Sequence, residues 1–144
     1  MLRAGASFPT AREGEEVEIV NVNLSARTDD GFVWDFDVSW GLRFTDSEID
    51  SGQEFVNGLV FWEWDDGWLA DSDPEKLHTV PNDTVLTGGV DINNMVYRTH
   101  TWRAGVSRLS TELGNEEIRA EVYLQNRDGG PVISLKSNEV TIGD

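Results

Sequence analysis

At 144 residues the chain is long enough to bury one core, and it must do so by packing alone: without a cysteine it has no disulfide, no zinc-thiolate site and no thiol nucleophile. Its 27 acidic residues against 11 basic ones give a formal charge of −16, which excludes partners held by phosphate neutralisation, so nucleic acid is not expected. Only Lys76 and Lys136 are lysine, the other basic residues being arginine; such a surface fits a salt-loving source, and a GC-rich genome gives the same arginine bias.

In chain order, residues 1–14 read as an N-terminal arm with no apolar run of the length a signal peptide needs, and no later segment reads as a membrane span. Val17, Ile19, Val22, Leu24 and Ala26 form an alternating run whose phase changes near Val20, which predicts a bulged strand. Thr28-Asp-Asp-Gly31 predicts the turn into the clearest pattern of the chain: Phe32, Trp34, Phe36, Val38, Trp40, Leu42 and Phe44, with Asp35, Asp37, Ser39, Gly41 and Arg43 between them. Apolar residues at a strict spacing of two make a half-buried strand, so the two runs predict a hairpin.

Phe55 to Trp64 is apolar in both phases, which predicts a strand covered on both faces over part of its length. Residues 65–83 are rich in Asp, Ser, Pro and Asn and read as one long acidic connection, with a helical turn at Asp73-Pro74-Glu75-Lys76. A short strand at Thr84–Leu86, a Gly88-Gly89 turn, a strand from Asn93 to Val106, and a hairpin of Glu117–Gln125 with Val132–Ile142 complete the pattern. The expected fold is one all-β domain over 1–144, an antiparallel two-layer β-sandwich with one long acidic loop, a closed barrel being the alternative. Phe32, Trp34, Phe36, Val38, Trp40, Leu42, Ile118, Val122 and Leu124 are expected to face inward.

The C-terminal stretch, with Asn126, the Gly129 turn and Ser137-Asn138-Glu139-Val140, resembles the last two strands of a fibronectin type III or related immunoglobulin-like module. The resemblance covers about 25 residues, and the corner tyrosine of that family would fall on Ile118. It implies an immunoglobulin-like architecture and, with it, an adhesive, spacer or receptor role without catalysis.

The segment Phe61 to Leu77, FWEWDDGWLADSDPEKL, concentrates carboxylates and indoles. Asp65, Asp66, Asp71, Asp73 and Glu75 supply the hard oxygen ligands that calcium takes, although the spacing matches no defined calcium loop and suits a solvated turn equally. Trp62, Trp64 and Trp68 could stack on a sugar ring, anchor a protein partner or cap the end of the sandwich. Glu63, Asp65, Asp66, Asp71 and Asp73 are candidates for the paired carboxylates of glycoside cleavage, a reaction that needs a cleft and one raised pKa. His78, placed in the long loop, and His100, placed in a polar strand, read as surface histidines. The expectation is a non-enzymatic structural or adhesive module that meets protein partners or copies of itself in an assembly such as a virion, surface layer or appendage. The alternative is a calcium- or glycan-binding sandwich using the 61–77 segment.

Overall fold

The computed structural model describes residues 16–63, 74–105 and 116–143. Among them the expected sandwich is present: a three-stranded antiparallel sheet in the order β1-β2-β5 packs against a five-stranded antiparallel sheet in the order β4-β3-β6-β7, with β8 also on β6. The strands are β1 (Glu18–Thr28), β2 (Val33–Arg43), β3 (Glu54–Glu63), β4 (Glu75–Leu86), β5 (Met95–Gly105), β6 (Glu116–Asn126), β7 (Ile133–Lys136) and β8 (Val140–Ile142).

The β1–β2 hairpin forms as its alternation predicts, and its register shifts between Val20 and Asn23, where Asn21 takes a φ of 54°. At the turn the Asp30 carboxylate accepts from the backbone N–H groups of Phe32 and Val33 at 2.8 and 3.0 Å, and Gly31 takes a φ of 79°. That turn ends the inward phase earlier than the apolar pattern suggests. Phe32 is therefore 71% exposed and outside β2, and Trp34 is half-buried, packed against the core margin; the other residues expected inward are buried.

After β2, Thr45 caps a five-residue helix α1 (Asp46–Asp50) in a reciprocal capping box with Glu48, which satisfies two N-terminal donors. β3 is central, between β4 and β6, as its two-phase apolar run predicts. The expected connection over 65–83 is shorter than that: Glu75–Leu86 is a strand, so Glu75 and Lys76 are extended rather than part of a helical turn. Pro81 stands within this edge strand, where a missing N–H costs no ladder bond, and the register shifts twice along it.

The core lies between the sheets. Trp102 of β5 is sandwiched by aromatic neighbours, with ring centres 5.3 Å from Phe36, 4.9 Å from Phe61 and 5.0 Å from His78, the last almost parallel at 5°. His78 is thus a strand residue stacked on a core indole rather than a loop histidine. Each such side chain, once fully buried, contributes about 2–3 kcal/mol relative to exposure. On the other flank the Asn138 carboxamide accepts from Leu24 N–H at 2.8 Å and donates to Leu24 O at 2.9 Å, so one side chain pairs with β1 as a strand residue does.

Candidate functional site

Residues paired across neighbouring strands share a face. On β3 the inward phase is Phe55, Asn57, Leu59, Phe61 and Glu63, all buried, so Val56, Gly58, Val60 and Trp62 point away from the core. Trp62 stands opposite Lys76 on β4 and Arg119 on β6, Val60 opposite Thr79 and Glu121, and Gly58 opposite Tyr123. The outer face of the five-stranded sheet is consequently apolar along its centre. Val56, Gly58, Val60, Tyr123, Gln125 and Val132 border a depression of about 200 Å³ there. Gly58 keeps it open: a Cβ at this position would come within 3.0 Å of Asn82 Oδ1.

One rim of this face is polar. Glu121, 8% exposed, accepts from the Tyr123 hydroxyl at 2.6 Å and from Ser134 Oγ at 2.9 Å, with Lys136 Nζ at 3.8 Å. The carboxylate is thereby compensated in place, which is what lets it sit on a largely apolar surface. Burial, followed by the hydrogen bond to Glu121 and the charge of that carboxylate, pushes the Tyr123 hydroxyl up to about 12, while Trp62 acts in the opposite direction. Tyr123 is therefore a fixed donor at neutral pH.

Trp62 occupies the phase expected for it, half-buried, with Lys76 Nζ 5.7 Å from the ring centre. An ammonium at that distance takes one face of the indole in a cation–π contact, so the ring is held rather than presented as an open stacking platform. Glu75, expected among the metal ligands, is an exposed strand residue opposite Glu63. Asp65, Asp66, Asp71 and Asp73, and with them Trp64 and Trp68, lie outside the described residues. Among the described residues no three His, Asp or Glu side chains are grouped so as to hold a metal ion, and no helix is long and apolar enough to cross a membrane.

Tyr123 and Glu121 were not singled out from sequence, although both lie in the outward phase of a strand whose other phase, Ile118, Ala120, Val122 and Leu124, is wholly buried. A large aromatic in an otherwise polar phase was the available signal.

No family model and no curated protein matches the chain. Two solved structures align over most of its length. One is a structural-genomics crystal structure of a protein assigned as ApaA from Bordetella pertussis, with 9% identity over 88% of this chain and 89% of that one and a TM-score of 0.38. The other, an X-ray structure of a further structural-genomics target, has 6% identity over 88% of this chain and 84% of that one and a TM-score of 0.37.

Proposed function

We propose that the chain is a non-enzymatic structural or adhesive module that works in an assembly, a virion, surface layer or appendage, and meets a protein partner through the outer face of its five-stranded sheet. The observation that carries this is the apolar outward phase of β3, Val56, Val60 and Trp62, flanked by Tyr123 on the side opposite the core. A sandwich needs only its inner faces apolar; a second apolar surface with an aromatic anchor and a compensated polar rim has the make-up of a protein interface. The strand order, with β6 leading through the Gly129 turn into the broken β7–β8 edge, supports the immunoglobulin-like reading of the C-terminal strands. Lys76 over the Trp62 ring favours a protein anchor above a sugar platform.

A net charge of −16 keeps free copies apart in dilute solution, and salt screens that repulsion while leaving apolar burial intact. Sedimentation of the purified chain from low salt to about 1 M, where the screening length is roughly 3 Å, is expected to show association that grows with salt. Trp62→Ala and the exposed-site change Val132→Asp are expected to abolish it. A wild-type chain that stays monomeric throughout and captures no partner sensitive to either change defeats the proposal.

A further inference from the structure

Among the described residues, all but one of the sheet edges are bulged, broken or interrupted by proline. β1 is bulged at Asn21, and its backbone at Leu24 is already paired by Asn138. β4 contains Pro81 and two register shifts. β7 and β8 are four and three residues long, with Ser137 to Glu139 between them. β5 has no bulge, proline or break: its eleven residues, MVYRTHTWRAG, pair with β2 from Met95 to Gly105 without a shift, and the fixed charge that it turns inward is Arg98. Among the described residues no strand lies on its other side. A long, regular edge is a template for another strand, and an inward-facing charge restricts which strand can join it.

The turn before β5 fixes which backbone groups point outward. Phe44 N–H donates to Asn94 O at 3.0 Å, so Asn94 faces β2. Met95 O accepts from Asp91 N–H at 3.0 Å and Met95 N–H donates to Asp91 Oδ1 at 3.0 Å, so Met95 faces away from β2. In an unbroken antiparallel pair this direction alternates. The N–H and C=O groups of Tyr97, Thr99, Thr101 and Arg103 therefore point at the open edge, and their side chains stand on the outer face of the three-stranded sheet.

The alternate side chains face the gap between the sheets. Trp40, Leu59, Pro81, Asp83, Arg98 and His100 line a cleft of about 100 Å³ there. The Arg98 Nε is buried without a hydrogen-bond partner, and the carboxylate it pairs with, Asp83, is 3.6 Å away and 67% exposed. Within a chain of net charge −16, β5 holds two arginines, a histidine and no acid.

We propose that β5 is the docking site for an extended acidic peptide of a partner protein, which joins the three-stranded sheet as its fourth strand and places a carboxylate in the cleft beside Arg98. Charge decides the occupant. A second copy of β5 brings arginine, histidine and no acid, whereas an acidic strand brings a further acceptor to the Arg98 guanidinium, whose Asp83 partner is 3.6 Å away and exposed. This edge is separate from the Trp62 surface and does not depend on it.

The probe is a fluorescein-labelled nonapeptide of alternating Thr and Glu, compared at fixed ionic strength with its Lys-for-Glu counterpart. The Glu peptide is expected to bind and the Lys peptide not. Thr99→Pro removes a donor from the open edge and none from the β2 ladder, and is expected to weaken binding about tenfold or more. Arg98→Gln should weaken it several-fold, and in the complex amide exchange should slow at Thr99 and Thr101. Should Thr99→Pro fail to fold, Glu peptides N-methylated on complementary alternate residues take its place: only the set facing β5 should lose binding. The proposal is overturned by a Glu peptide that does not bind, by equal binding of the Lys peptide or of both methylated sets, or by a Thr99-dependent self-association of the chain that the peptide does not displace. Trp62→Ala is expected to leave the titration unchanged, so failure at this edge and failure of the Trp62 face are separable.

Discussion

Trp40 of β2 donates its indole N–H to the carboxamide oxygen of Asn57 on β3 at 3.0 Å, a hydrogen bond that joins the two sheets through the core. The Asn57 amide nitrogen donates in turn to the carbonyls of Tyr123 at 2.8 Å and Gly58 at 3.2 Å. Asn57, 4% exposed, thus ties β2, β3 and β6 together from a position that alternation reserves for an apolar side chain.

Asn57→Leu is expected to cost about 2–4 kcal/mol, because the Trp40 N–H loses its acceptor inside the core and a branched side chain replaces a planar one. Trp40→Phe removes the donor instead. In urea unfolding the double variant is expected to be less destabilised than the sum of the singles by about 1 kcal/mol, since deleting both partners removes the orphaned group. Strict additivity would show that the bond contributes nothing.

Asn138 pairs with both backbone groups of Leu24 from a loop residue. Asn138→Ala is expected to lose about 1–2 kcal/mol and to speed amide exchange at Leu24. Asn138→Asp keeps the acceptor but sets a carboxylate against the Leu24 carbonyl, so it should be no better than alanine at neutral pH. An Asp variant as stable as wild type would mean that only the accepting half of the pair matters.

Much of this fold was legible because alternation is strict where one face is buried. The β2 pattern and the alternating run within β6 placed most of the core, and the change of phase near Val20 located the bulge at Asn21. β4 was legible only at its end, Thr84–Leu86: as an edge strand it carries Pro81, Asn82 and Asp83 without penalty, and those residues look like loop. Phe32 misled because apolar phase continues through a turn that Asp30 closes by side-chain hydrogen bonds. Asn57 and Arg98 were not singled out from sequence, and His100 was read as a surface histidine. Their roles depend on what the opposite sheet presents, the Trp40 indole in one case and the mouth of the inter-sheet cleft in the other, and one-dimensional periodicity carries no such information.

The Tyr123 hydroxyl, pushed up to about 12, gives an alkaline signature. Its folded pKa lies above the unfolded value of about 10, so the folded state holds the proton more tightly. The stability it contributes is fully present below about pH 10 and is lost as pH rises toward 12. Phenolate absorbance is expected to show Tyr123 ionising late, and Tyr123→Phe should remove that step and flatten the decline of stability between those pH values. Ionisation of Tyr123 near pH 10 in the folded chain would mean that its contact with Glu121 is not maintained in solution.

On the outer face of the three-stranded sheet, the hydroxyl of Thr101 and then the guanidinium of Arg27 hold the Asp37 carboxyl below the usual carboxylate range. At the hairpin turn, the backbone N–H groups of Phe32 and Val33 do the same for Asp30. A carboxyl depressed in the folded state contributes stability that is present above its unfolded pKa of about 4 and lost as pH falls through the folded value. Asp37→Asn and Asp30→Asn are therefore expected to destabilise the chain at pH 7 and to converge with wild type in acid. Because Asp37 and Arg27 are 33% and 65% exposed, solvent screens their pair, and its share of the effect should be small. Salt then separates the two carboxylates. In about 1 M salt the Arg27 share of the Asp37 effect should shrink, whereas the effect of Asp30, which rests on short backbone hydrogen bonds at the turn, should persist. Acid unfolding of both variants at low and high salt reads this directly, and an Asp30→Asn effect that vanishes with salt would show that long-range charge, not the turn geometry, sets the value of that carboxylate.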